Sequence, residues 1–177
     1  MDTKRWVLAG LLSFAAMPAA AMDFRSTDVS EGALMAKANI CSPLGGGNTS
    51  PQLSWSGVPA NAKSLALTMF DPDARGGDGF WHWVVLDIPP GTTGLAAGAG
   101  ASQASLPAGA VAGSNGMGQL AYIGPCPPDA ITHHYQITLW LLTEKPALTA
   151  DSKPEDVGAY LAKHAIANAR ITPVYRK

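Results

Sequence analysis

Proline and glycine interrupt this sequence at short intervals, so its apolar residues occur in short stretches. The chain has 14 prolines and 19 glycines among 177 residues. Both residue types mark turns, and short apolar stretches between turns are typical of strands in antiparallel sheets. The pattern therefore predicts a mainly β protein with many turns.

Alternation of apolar residues predicts the individual strands at residues 53–55, 64–70, 81–88, 134–142 and 171–175. In the second strand, Leu65, Leu67 and Met69 share one face. The third strand has two largely apolar faces, which is typical of a central strand. One face carries His82, Val84, Leu86 and Ile88, and the other carries Trp81, Trp83, Val85 and Asp87. Residues 91–118 are predicted to form an extended loop.

The mature chain has one convincing helical pattern, near its C-terminal end. Ser152 and Glu155 fit a capping box, with serine at the N-cap and glutamate three residues later. Val157, Leu161 and Ala165 then recur at helical spacing. We therefore predict one helix, beginning after Ser152.

Residues 1–21 have the pattern of a secretory signal. Lys4 and Arg5 precede an apolar run, and three alanines at 19–21 provide a cleavage site. An uncleaved anchor helix is the alternative, which the shortness of the apolar run disfavours. Residues 22–177 are then one domain, exported to the periplasm or the exterior.

The charge of the exported part argues against nucleic acid as a partner. Removal of residues 1–21 leaves 10 basic and 12 acidic residues, a net charge near −2. No basic stripe is present that would neutralise a phosphate backbone. The sequence therefore favours other partners.

Two cysteines, Cys41 and Cys126, are predicted to form a disulfide, because export exposes them to an oxidising compartment. Such a long loop gives about 4–5 kcal/mol in the chain-entropy description, less any strain. Two free buried thiols are the alternative. The absence of Cys-x-x-Cys spacing argues against a structural zinc site, and we predict neither a metal nor a cofactor.

The first candidate site is formed by Asp71, Asp73 and His82, which flank a predicted hairpin turn. Two carboxylates beside an imidazole can accept hydrogen bonds from an ammonium or a hydroxyl group, or hold a metal. Ordinary turn chemistry also explains aspartate beside proline, because the side chain caps the local backbone. Spacing alone leaves both readings open.

The second candidate site combines Pro127 and Pro128 with His133 and Tyr135. A rigid proline loop beside a histidine and a tyrosine can line a pocket. Alternation places His133 and Tyr135 on one face and His134 on the other, so His133 is the better site residue. A loop stapled by a disulfide and followed by an ordinary strand is the alternative.

Sequence signatures of common catalytic and nucleotide sites are absent or lack their context. Residues 116–121 match G-x-G-x-x-A, but a turn-rich loop precedes them and no helix can follow. The chain has no G-x-S-x-G elbow and no P-loop lysine. We therefore predict no catalytic residues.

Taken in order, several segments resemble one family. They are NTSPQLSW at 48–55, DPDA at 71–74, WHWVVLDIP at 81–89, Y-x-G-P-x-P-P at 122–128 and HHYQITLWLL at 133–142. Together they resemble the phosphatidylethanolamine-binding proteins, also called Raf kinase inhibitor-like proteins, and specifically their exported bacterial branch.

The resemblance implies a fold and a site. The fold is a large antiparallel sheet packed on a smaller sheet, with Greek-key connections and a helix near the C-terminus. The site is a small anion pocket for phosphate or a phosphoethanolamine-like group. Its matching residues here are Asp71, Asp73, His82, Pro127, Pro128, His133 and Tyr135, with Tyr175 as a residue that covers the pocket. Arg75 departs from the family pattern, which usually has proline there.

The resemblance therefore implies a non-enzymatic binding protein for a small phosphorylated or carboxylated ligand. A secreted protein-interaction module, such as a protease or kinase inhibitor-like modulator, is the alternative. Bacterial relatives suggest a homodimer, and the sequence does not identify a protein partner. We expect the aspartates either to orient the histidines or to receive an ammonium group.

Overall fold

The computed structural model describes residues 22–177, so the predicted signal segment lies outside the described residues. The elements in chain order are β1 (Asp23–Arg25), β2 (Leu53–Ser56), β3 (Ser64–Asp71), β4 (Phe80–Ile88), β5 (Gly94–Leu95), β6 (Val111–Gly113), β7 (His133–His134), β8 (Gln136–Leu142), α1 (Pro154–His164), β9 (Ala167–Ile171) and β10 (Val174–Tyr175). The predicted α-helix and the predicted strands at 53–55, 64–70 and 81–88 are present, and β5 and β6 are short strands within the predicted loop. The predicted strands at 134–142 and 171–175 are interrupted, at Tyr135 and at residues 172–173.

The largest sheet has five antiparallel strands in the order β6-β4-β3-β8-β9. β3 and β4 form a hairpin, and β8 returns after a long connection to pair with the other side of β3. A second sheet has the order β1-β2-β5, and β7 pairs with β10. The predicted mainly β, antiparallel architecture is confirmed.

One face of the large sheet packs against the three-stranded sheet. Leu65, Leu67 and Met69 of β3 lie in one buried cluster with Leu53 and Trp55 of β2. Burying a side chain of this size contributes about 1.5–3 kcal/mol, so this cluster stabilises the packing of the two sheets. The predicted shared face of the three β3 residues is confirmed.

The predicted alternation in β4 is wrong at both ends. At the first end, Trp81 lies against Gly158 of α1 and does not share a face with Trp83, because a register shift falls between Met69 and Phe70 of β3. At the other end, Ile88 packs in the same cluster as Trp83 and Val85, whereas alternation placed it with Val84. The cause is a β-bulge, since β4 has one more residue than β3 across this point of the ladder. Asp87 absorbs the extra residue with φ of 54°, which turns Ile88 to the other face.

Helix α1 covers the opposite face of the large sheet through its buried residues, Val157 and Leu161. The predicted capping box at Ser152 is wrong. Pro154 is the first helical residue, a position where its fixed φ fits and its missing N–H costs little. The hydroxyl of Ser152 instead accepts the backbone N–H of Thr149 at 2.9 Å.

A disulfide joins Cys41 to Cys126 across 85 residues of sequence. It ties the loop before β2 to the proline-rich loop that leads into β7, so it restricts a segment that has little regular secondary structure. Within residues 22–177, no helix is long and apolar enough to cross a membrane.

Candidate functional site

A cavity of about 610 Å³ opens where the ends of β3, β4 and β7 meet. This volume is in the usual range for sites that hold a small organic molecule. Seven of the eight predicted ligand-binding residues line it, namely Asp71, Asp73, His82, Pro127, Pro128, His133 and Tyr135. Tyr175 pairs with His133 across β7 and β10 but does not line the cavity.

Antiparallel pairing brings the site residues together although they are far apart in sequence. Asp71, the last residue of β3, lies opposite Phe80, which places His82 close by on the returning strand. On its other side, β3 pairs with β8, so Phe70 lies opposite Gln136. The end of β3 therefore lies between the segments that carry the two cavity histidines.

Asp71 and His133 form a buried pair at the floor of the cavity. The Nδ1 of His133 lies 2.7 Å from Oδ2 of Asp71, and the two side chains are 6% and 3% exposed. The backbone N–H of Asp73 donates to the other carboxylate oxygen at 2.9 Å. Burial raises the pKa of Asp71, but the nearby imidazole of His82 and the hydrogen bonds with His133 and this N–H outweigh it, so the pKa lies below its usual value.

His82 is oriented by a backbone carbonyl. Its Nδ1 lies 2.7 Å from the oxygen of Ile123, and a carbonyl oxygen only accepts, so this nitrogen carries a proton. Its Nε2 lies 3.9 Å from Oδ2 of Asp71, which is too long for a hydrogen bond. Asp71 therefore orients His133 directly, whereas it acts on His82 mainly through its charge.

The Nε2 atoms of both cavity histidines remain available to a ligand. That of His133 lies 3.8 Å from the nearest oxygen of Asp129, again beyond hydrogen-bond distance. A neutral imidazole whose Nδ1 carries the proton can only accept at Nε2, and an imidazolium can donate there. Donation to an anion therefore requires that a histidine gains a proton.

Tyr135 adds a hydroxyl group that has no protein partner. The side chain is fully buried, and its hydroxyl makes no hydrogen bond within residues 22–177. Its ring contacts the imidazole of His82 edge-on, with centroids 5.2 Å apart. Burial raises the pKa of Tyr135, and the nearby charge of Asp71 raises it further, so the phenol stays protonated and can donate.

A second aspartate–histidine pair lies at the edge of the cavity. Oδ2 of Asp73 is 2.8 Å from both the backbone nitrogen and the Nδ1 of His134. This pair is exposed, with side-chain exposures of 37% for Asp73 and 53% for His134. His134 does not line the cavity, as alternation along the strand predicted.

Several lining residues were not predicted from the sequence. Asp129 follows the proline pair and lies four residues before His133, so its place in the sequence could have identified it as a candidate site residue. The apolar lining residues could not be identified in this way, because the path of a loop does not follow from hydrophobic periodicity. They are Phe80, Met117, Ile123 and Ile131. Within the described part of the chain, no group of three or more potential ligands is placed to hold a metal.

The fold and the sequence motifs match a known family. The family model described as phosphatidylethanolamine-binding protein matches residues 25–176. The chain belongs to the phosphatidylethanolamine-binding protein (PEBP) family. The predicted family is thereby confirmed, including its bacterial branch.

Bacterial members of the PEBP family are similar along nearly the whole chain. The Escherichia coli protein YbcL is 42% identical over 97% of this chain and 98% of its own. Its crystal structure, described as a new member of the mammalian PEBP family, superposes with a TM-score of 0.84, covering 89% of this chain and 99% of YbcL. A putative PEBP homolog from Chlamydia trachomatis has 32% identity and a TM-score of 0.74, covering 89% and 98%.

One relative bears on the location of the protein. A Mycobacterium tuberculosis protein named putative lipoprotein LppC is 37% identical over 73% of this chain and 61% of its own length. A lipoprotein name indicates association with the cell envelope for that relative.

Proposed function

We propose that this protein is an exported, non-enzymatic PEBP that binds a small oxyanion, such as phosphate, phosphoethanolamine or a carboxylate, in the cavity. The observation that carries the proposal is the buried hydroxyl of Tyr135, a cavity-lining residue, which has no hydrogen-bond partner within residues 22–177. A buried donor without a partner is costly, and a ligand oxygen would satisfy it.

The two histidines support binding of an anion. Once protonated, His82 and His133 would each offer an Nε2 donor to the same ligand, beside the hydroxyl of Tyr135. Oδ2 of Asp71 lies 2.7 Å from Nδ1 of His133 and 3.9 Å from Nε2 of His82, so its charge can pair with either imidazolium. Asp73 and Asp129 at the edge of the cavity would suit the ammonium group of phosphoethanolamine.

The composition of the cavity supports binding without catalysis. Among the lining residues in the described part of the chain there is no serine or threonine, and Cys126 is held in the disulfide. A serine, threonine or free cysteine nucleophile is therefore missing from the lining. The remaining polar groups are acids, imidazoles, one phenol and one guanidinium.

Three observations support export to the periplasm or beyond. Residues 1–21 have the signal pattern, the disulfide suits an oxidising compartment, and a relative carries a lipoprotein name. N-terminal sequencing of protein from a periplasmic extract tests this directly. The expected first residue is Met22, and an intact Met1 would contradict export by cleavage.

Calorimetric titration with phosphate and with phosphoethanolamine tests the binding function. Tyr135→Phe removes the unpartnered hydroxyl and should weaken anion binding about tenfold without lowering the melting temperature. Tyr160→Phe, on α1 beside His164, is the matched control and should bind like the wild type. Wild-type protein that binds neither compound would contradict the proposal.

A protein-interaction function is favoured by one observation. Met117 and Ile131 are each 64% exposed and Leu120 is 41% exposed, and all three lie in the loops that border the cavity. Exposed apolar residues gathered in one place are typical of interaction sites. A partner that binds through this rim should lose affinity with Leu120→Ser but keep it with His82→Ala, and the reverse pattern would assign the partner to the cavity.

A further inference from the structure

Arg75 is the single permanent cation among the cavity-lining residues of the described chain. The other charged or titratable lining side chains are three carboxylates, two imidazoles and one phenol, from Asp71, Asp73, Asp129, His82, His133 and Tyr135. The three carboxylates oppose the entry of an anion. A guanidinium keeps its charge at every physiological pH, whereas an imidazole does not.

The guanidinium of Arg75 is placed by an aromatic ring. Its central carbon lies 4.8 Å from the centroid of the Phe80 ring. Phe80 in turn meets the imidazole of His82 edge-on at 4.8 Å. One ring therefore lies between the guanidinium and the imidazole of His82, and all three residues line the cavity.

Most of the hydrogen-bonding capacity of Arg75 is unused. Within residues 22–177 it makes no ion pair, and its one hydrogen bond is a long contact of 3.5 Å from Nη2 to the carbonyl of Gly116. A guanidinium has five N–H donors in a fork that matches the oxygens of a phosphate or carboxylate. The remaining N–H donors of Arg75 therefore add to those that Tyr135 and the protonated histidines could offer to an anion in the cavity.

The backbone of Arg75 is in a conformation that favours glycine. Its φ and ψ are 54° and 36°, and Gly76 and Gly77, which follow, also have positive φ. A side chain with Cβ in this region costs free energy that glycine does not. Since fold stability alone would favour glycine here, the arginine calls for a different explanation.

We propose that Arg75 is a ligand-binding residue whose guanidinium binds the oxyanion in the cavity, together with Tyr135 and the two histidines. This inference rests on the proposed function and extends it. It assigns most of the affinity for phosphate or a phosphate monoester at neutral pH to Arg75, a position at which this chain differs from its family pattern.

The test is calorimetric titration with inorganic phosphate at neutral pH. Arg75→Gln should weaken binding about tenfold, as expected for loss of one charge-assisted hydrogen-bonding group. Arg25→Gln is the matched control, because Arg25 is 70% exposed and pairs with Asp23 on another sheet. It should bind phosphate within about twofold of the wild type.

A second variant separates ligand binding from folding. Arg75→Gly removes the guanidinium and also relieves the backbone, so its melting temperature should equal or exceed that of the wild type while phosphate affinity falls about tenfold. If either variant binds phosphate within twofold of the wild type, this inference is overturned but the proposed function is not. The same holds if Arg75→Gly lowers both the phosphate affinity and the melting temperature. Absence of phosphate binding by the wild type would overturn the proposed function as well.

Discussion

The molecule contains two aspartate–histidine pairs of nearly the same geometry in opposite environments. Asp71 and His133 meet at 2.7 Å in the protein interior, and Asp73 and His134 meet at 2.8 Å on the surface. They come from the same two short segments, Asp-Pro-Asp and His-His. Burial alone distinguishes them, and burial decides what each contributes to stability and binding.

The environments differ because of how each segment is built. His133 and His134 are adjacent in β7, so their side chains point to opposite sides. Asp71 ends β3, whereas Asp73 lies beyond Pro72 in a helical backbone conformation, with φ of −86°. The proline ends the strand, and this turns the second carboxylate outward to the second histidine.

The largest difference between the pairs should appear in stability. Asp71→Ala should lower the free energy of unfolding by about 3–5 kcal/mol, because it leaves buried groups without their partner. Asp73→Ala should lower it by about 1 kcal/mol or less, as is usual for exposed pairs. Urea denaturation measures both, and equal losses would show that burial does not govern these pairs.

The pairs should also differ in their effect on anion affinity. His133→Asn keeps a side-chain N–H for Asp71 but removes the Nε2 donor, so phosphate binding should weaken about tenfold. His134→Asn is the matched control and should change the affinity less than about twofold, since His134 does not line the cavity. Titration calorimetry compares them, and a larger loss in the control would place the ligand outside the cavity.

A smaller difference should appear in acid. The pKa of Asp71 is lower in the folded state than in the unfolded chain, where a carboxyl titrates at about 4. Its stabilising effect is therefore full above that pH and is lost as the pH falls through the depressed folded value. The stability difference between wild type and Asp71→Asn, measured by denaturation from pH 7 to pH 2, should shrink toward the acid end. A difference that grows in acid would mean that the carboxyl is protonated when folded.

The smallest effect concerns salt. A double-mutant cycle on Asp73 and His134 at pH 6 should give a coupling of about 0.2–1 kcal/mol at low ionic strength, falling toward zero in 1 M NaCl. The same cycle on Asp71 and His133 should retain most of its coupling, because salt screens a pair with side-chain exposures of 6% and 3% much less than an exposed pair. Equal screening of the two couplings would show that water reaches the cavity floor freely.

The sequence predicted the strands better than the details within them. The faces of β3 and the choice of His133 over His134 follow from alternation, which is a local property. The bulge at Asp87 and the missing cap at Ser152 escaped prediction because ladder register and proline geometry overrode the local pattern. Asp71 and His82 were predicted as site residues, but the Ile123 carbonyl that orients His82 comes from a distant loop.

The sequence by itself determined the turn-rich antiparallel fold, the family and seven of the cavity-lining residues, because periodicity and ordered motifs are written along the chain. Only the tertiary structure decided which aspartate meets which histidine, that the Tyr135 hydroxyl has no partner among the described residues and that Arg75 lies over Phe80. The two aspartate–histidine contacts join segments that are far apart in sequence, since Asp71 and His133 are separated by 62 residues and Asp73 and His134 by 61. Their distances and burial are properties of packing, and no local pattern encodes them.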